Sequence, residues 1–124
     1  NKIASGGEMA RFMLSLKVVL AEQVPSGNVF VFDEIDTGIG GATASAVGDR
    51  LAKLATRHQV MVVTHSPQVA ARAHHHWVVS KSTGQTQVNL LKDGDRREEI
   101  ARMLAGAEIT TEARAAAKKL LIVG

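Results

Sequence analysis

The sequence predicts an α/β domain with a mostly parallel sheet flanked by helices, and three observations carry that reading. Two short apolar runs, Val29-Phe30-Val31-Phe32 and Val60-Met61-Val62-Val63, have the β-branched and aromatic composition of strands buried on both faces. One segment with helical periodicity precedes the first run and another lies between the two. Residues 29–64 have the length of one strand–helix–strand unit, roughly 30 residues or more, so the two strands are expected to run parallel.

Taken in order, Met9, Phe12, Met13, Leu16, Val19 and Leu20 recur at three- and four-residue steps between Glu8 and Gln23. That spacing predicts an amphipathic helix whose apolar stripe packs on the core. Pro25-Ser26-Gly27-Asn28 is a turn ahead of the first strand. Gly38, Gly40 and Gly41 make a flexible loop after it, and Val47, Leu51 and Leu54 mark a helix over Ala42 to Arg57. Beyond the second strand and a short segment from Pro67 to Arg72, Trp77 to Ser80 and Gln87 to Leu90 flank Ser82-Thr83-Gly84-Gln85, the pattern of a hairpin or of adjacent strands. Helical stretches near Arg96 to Leu104 and Thr111 to Leu121 close the chain. No linker, repeat or low-complexity segment interrupts it, so residues 1–124 are expected to form one domain.

The composition narrows the function classes. A hydrophobic fraction of 45% beside 22% charged residues excludes disordered and collagen-like chains. Apolar runs such as Val29 to Phe32 fall far short of the roughly 18 residues of a membrane helix, and no signal-like segment leads the chain, so a soluble protein is expected. With no cysteine there is no disulfide, thiol nucleophile or thiolate zinc site, in keeping with a reducing cytosol. The net charge of +3 resides in residues 61–124, where nine Lys/Arg face six Asp/Glu, an excess too small to argue for a polyanion partner. A first residue of Asn rather than Met leads us to expect a piece of something longer.

Parallel strands joined by one crossover end at the same sheet edge, and open α/β sheets bind ligands beyond those carboxyl ends. The first strand ends in Asp33-Glu34 and the second in Thr64-His65. Adjacent carboxylates can divide labour, one holding Mg²⁺ while the other polarises a nucleophilic water, and an imidazole can donate to a phosphate oxygen. Strand ends often turn polar simply because they reach solvent; placement at both ends together favours a site. Ser5-Gly6-Gly7-Glu8 before the first helix fits a capping box, and its glycines would also let an anion approach the helix N-terminus closely.

In this order and spacing the segments resemble ABC-type ATPase heads. Ser5-Gly6-Gly7-Glu8 is similar to their signature motif, Val29 to Glu34 to the Walker B strand, Asp36 to the D-loop aspartate and His65 to the switch histidine. Lys2 to Glu8, Phe32 to Gly41, Val63 to Ala70 and His76 to Lys81 narrow the likeness to the RecN family of bacterial DNA repair proteins, relatives of the structural-maintenance-of-chromosomes (SMC) ATPases. Ser66, where Leu is expected, and Met9-Ala10, where Leu-Ser is common, depart from that pattern.

The resemblance implies a P-loop NTPase-like fold, with this chain as the C-terminal lobe of the head. It also implies ATP and Mg²⁺ as cofactors, Asp33 on the metal, Glu34 and His65 as catalytic groups, and Ser5, Gly6, Gly7, Glu8 and Asp36 on nucleotide. The implied partners are an N-terminal P-loop lobe of the same parent, a second head in a homodimer, and DNA through the parent, in the bacterial cytoplasm at the nucleoid. A P-loop needs Gly-x-x-x-x-Gly-Lys-Ser/Thr, and none of the seven lysines follows a glycine. The parent is therefore expected to be the ATPase and this chain alone to be inactive. The alternatives are a head of another ABC-type ATPase, from chromosome maintenance or a transporter, and a non-catalytic dimerisation module. His74-His75-His76 on an extended strand would point to alternate faces and make no metal site, and Gly38-x-Gly40 lacks the third glycine of a dinucleotide fingerprint, Thr43 standing there.

Overall fold

The computed structural model of the chain describes residues 6–122, which divide into two compact units parting after Arg72. In the first unit, helix α1 (Gly6–Gln23) leads into strand β1 (Val29–Asp33), helix α2 (Gly41–Leu54), strand β2 (Gln59–Val63) and the single turn α3 (Pro67–Ala70). The predicted strand–helix–strand unit is present: β1 and β2 pair in parallel, with Phe30 opposite Val60 and Asp33 opposite Val63. The second helix ends three residues before the expected Arg57, and His58 takes the turn into β2. Its Nδ1 accepts from the Asn28 amide at 3.3 Å, and its buried ring meets Phe30 edge-on at 5.0 Å. Two loops are thereby held at the entry end of the sheet.

Side chains alternate across a strand, and residues paired in register share a face. One face of the β1–β2 pair therefore carries Phe30, Phe32, Val60 and Val62, which join Leu14, Val18 and Ala21 of α1 and Ala44, Leu51 and Leu54 of α2 in the core. The other face carries Val31 and Met61, exposed at 64% and 59%, with Val29 and Val63 beside them. Burial on both faces, expected from the apolar runs, is thus met on one face only. A strand's composition specifies that a face is to be covered but not which segment covers it, and no described residue does.

The first helix needs the same correction. Its expected stripe of Met9, Phe12, Met13, Leu16, Val19 and Leu20 is exposed, whereas Leu14, Val18 and Ala21 are buried. The helix is apolar over more than one face, so the three- and four-residue rhythm could be phased in two ways. Packing against Phe32 and α2 selects the narrower stripe.

In the second unit, strands β3 (Trp77–Ser82) and β4 (Gln85–Leu90) form an antiparallel hairpin, followed by helices α4 (Asp93–Ala105) and α5 (Thr111–Ile122). The turn is tighter than predicted because Thr83 and Gly84 both have positive φ, 45° and 81°, the two-residue geometry that matches strand twist. Helices α4 and α5 pack through Ile100, Ala101, Ala113 and Ala117, all buried, where alanines let the axes come close. His74, His75 and His76 lie in the bends before β3 rather than on it, and no group of three or more metal-binding side chains occurs among the described residues. No described helix is long and apolar enough to cross a membrane.

Candidate functional site

Because β1 and β2 run parallel and in register, their carboxyl ends lie side by side. The ladder runs one residue past β1, where the Glu34 amide donates to the Val63 carbonyl at 3.1 Å. Glu34 then takes a left-handed conformation, φ 48°, which is rare and unfavourable for a residue with a side chain. This bend turns the backbone out of the sheet at the carboxylate. The Thr37 hydroxyl donates to the Glu34 carbonyl at 3.1 Å and the Ile39 amide to the Asp36 carbonyl at 3.1 Å, closing a compact loop. Asp33, Glu34 and His65 are all exposed, at the ends of the two strands as the sequence predicts.

Asp36 is differently placed. It is half-buried, and its Oδ2 accepts both the Thr64 hydroxyl and the His65 amide, the latter at 3.0 Å. Thr64 Oγ1 in turn accepts from the Ser66 amide at 2.9 Å. The buried Ser66 hydroxyl caps α3 by accepting from the Val69 amide at 3.4 Å, and it donates to Gln68 Oε1 at 3.0 Å. Asp36, Thr37, Ile39, His65 and Gln68 line an open cleft between the two loops. The sequence predicts Thr64 at the strand end but no role for its hydroxyl, and it marks Ser66 only as a departure from the family pattern. The Ser66-Pro67 pair, a capping residue followed by proline at the first helical position, is the signal that could have marked it.

Of the glycine-rich segment, Gly6, Gly7 and Glu8 open α1. A β-carbon on Gly38, whose φ is 76°, would stand 3.8 Å from Gly7 Cα, so the helix entry lies against the loop after β1. Ser5 lies outside the described residues, and with it the proposed cap. Asp33 and Glu34 offer hard carboxylate oxygens at one exposed strand end, a donor set suited to Mg²⁺, which is usually held by one or two carboxylates together with phosphate oxygens and water. In the second unit, burial first, and then the charge of Arg96, holds the His76 imidazole below its ordinary value, while Glu99 opposes the shift. A side-chain bond from Arg102 lowers the Glu99 carboxyl in the same unit.

No family model matches the chain. It is similar to DNA repair protein RecN of Xylella fastidiosa, 52% identical over 127 residues that make up 98% of this chain and 22% of that protein. DNA repair protein RecN of Mycobacterium leprae is 52% identical over 97% of the chain and 21% of its own length, and that of Deinococcus radiodurans 53% over 86% and 19%. The chain thus spans about a fifth of the length of these relatives. A solved structure from work on ATP-driven dimerization and DNA stimulated activation of SMC ATPases superposes with a TM-score of 0.69 at 23% identity, covering 85% of this chain and 64% of that one. That likeness shows the fold alone, an α/β arrangement shared with that chain.

Proposed function

We propose that this chain, a homologue of RecN DNA repair proteins along nearly its whole length, is the C-terminal lobe of an ATP-hydrolysing head. One observation carries the reading: Asp33-Glu34 and Thr64-His65 meet at one end of a parallel strand pair and are tied together through Asp36. Open α/β sheets take ligands beyond the carboxyl ends of their strands, and this edge would receive a nucleotide's phosphates.

Asp33 would hold Mg²⁺, which neutralises charge on the transferring phosphoryl group. Glu34, exposed at the bend, accepts the proton of the attacking water. His65 donates from its imidazole to a γ-phosphate oxygen. Ser5, Gly6, Gly7 and Glu8 would contact the phosphate held by a second head, where the N-terminus of α1 favours an anion. Phosphoryl transfer depends on positioning and charge neutralisation, so a two-sided site works only when closed.

The rest of the proposal concerns the parent. Its P-loop lobe, on another part of the same chain, would cover the Val29, Val31, Met61 and Val63 face; two heads would close on ATP as a homodimer and open on hydrolysis; and the parent would act on broken DNA in the bacterial cytoplasm, at the nucleoid. This lobe alone, without a phosphate-binding loop, is inactive. The experiment is Glu34→Gln in the full-length protein. ATP binding should persist while turnover falls by about two orders of magnitude or more, the usual size of a general-base contribution. Turnover near wild type would leave Glu34 an ordinary strand-end acid.

A further inference from the structure

We infer that Thr64 is a positioning residue for His65, acting through the carboxylate of Asp36. The inference rests on the proposed hydrolytic site and changes what Asp36 does within it. A hydroxyl has one proton to give and two lone pairs to receive with. Thr64 spends its proton on Asp36 Oδ2 and receives the Ser66 amide at 2.9 Å. The same Oδ2 receives the His65 amide at 3.0 Å. The two amides on either side of the His65 α-carbon are therefore anchored to one carboxylate, His65 directly and Ser66 by way of Thr64.

Asp36 is 28 residues from Thr64 and belongs to the other loop, the one that carries Glu34. The strand ladder cannot set the spacing of Glu34 and His65, because it stops at the Glu34 amide and the Val63 carbonyl. Beyond that point these hydrogen bonds join the two loops, and a bond to a carboxylate is stronger than one between neutral groups. Both lone-pair positions of Oδ2 are taken by these donors, so that oxygen braces the histidine loop instead of meeting nucleotide. Ser66 extends the brace into α3 through the Val69 amide and Gln68. Reaction rates depend steeply on such spacing, since a displacement of about 1 Å can lower a rate by about a hundredfold.

The test compares Thr64→Val, which keeps the shape and removes the hydroxyl, with Thr64→Ser, which keeps the hydroxyl and removes the methyl, both in the full-length protein. Steady-state ATP hydrolysis should show kcat reduced about tenfold in Thr64→Val, with KM for ATP within about twofold of wild type, and near-complete recovery in Thr64→Ser. Amide hydrogen exchange of the peptide spanning residues 64–68, measured on the same samples, should quicken in Thr64→Val and not in Thr64→Ser. An unchanged kcat in Thr64→Val, or a loss in Thr64→Ser as deep as in Thr64→Val, overturns the inference. If wild type itself does not hydrolyse ATP, the proposed function fails; hydroxyl-dependent protection of the peptide would then still support the brace on the His65 loop, and its absence would sink that too.

Discussion

A β-carbon on Gly48 would stand 3.3 Å from Val69 Cα and 3.2 Å from the Gln68 carbonyl oxygen, with Arg72 Cγ at 2.9 Å. Helices α2 and α3 therefore meet backbone to backbone at a buried glycine, and α3 directly follows the loop that carries His65. A helix interior ordinarily gains about 1 kcal/mol when Gly becomes Ala. Here the added methyl presses on main-chain atoms that cannot swing away.

Gly48→Ala should consequently destabilise the protein, by about 1 kcal/mol net, the cost of overpacking being roughly 1–3 kcal/mol. Urea denaturation should show a lower midpoint at an unchanged slope. A midpoint above wild type would mean that α3 yields freely and that the close approach is incidental.

Val31 and Met61 form the centre of the uncovered sheet face. Val31→Lys in the 124-residue chain should change stability by no more than about 0.5 kcal/mol, as for other exposed sites. In the full-length protein the same change should cost roughly 2 kcal/mol or more, because the lysine would be trapped beneath the P-loop lobe. Melting curves of both proteins decide it, and equally small effects would show that nothing docks on this face.

Ser5→Arg should abolish ATP-dependent dimerisation of the full-length protein while each monomer still binds ATP. A capping role alone forecasts otherwise: loss of about 0.5–2 kcal/mol of stability and dimerisation in proportion to the folded fraction. Size-exclusion chromatography with and without Mg-ATP, run beside a melting curve, separates the two, and a fully folded variant that still dimerises refutes the role across the interface.

His76 should make the second unit pH-sensitive. Its folded value is lowered by burial and Arg96, so the fold prefers the neutral ring. Stability from this group is complete above its ordinary value of 6.5 and declines as pH falls below it, because the unfolded chain takes up the proton first. Glu99, held low by Arg102, supplies stability that is lost only below the ordinary carboxylate value of 4.5, outside this window. Urea unfolding followed through Trp77, the chain's one tryptophan, should therefore weaken between pH 7.5 and pH 5. His76→Phe should flatten that dependence, and a slope unchanged in the variant would assign it to another group.

The local elements and the edge at which they meet are legible in the sequence. The two β-branched runs, the 29–64 spacing and the turn signal of Ser82-Thr83-Gly84-Gln85 are short-range features, and parallel pairing of β1 and β2 follows from a single crossover. Asp33, Glu34 and His65 were placed at the strand ends on that ground alone. What it left open was long-range: which stripe of α1 is buried, which face of the sheet lacks a cover, and what Asp36 holds. Periodicity is blind to phase when a helix is apolar over more than one face, so only packing against Phe32 and α2 selects Leu14, Val18 and Ala21 over Met9, Phe12 and Leu16. Likewise the reach of Asp36 to Thr64 and His65 spans 28 and 29 residues of chain, and no residue type or local spacing encodes a hydrogen bond that exists only once two strands have paired. Only the folded chain brings that carboxylate near those donors, because the β1–β2 ladder ends with the two loops side by side.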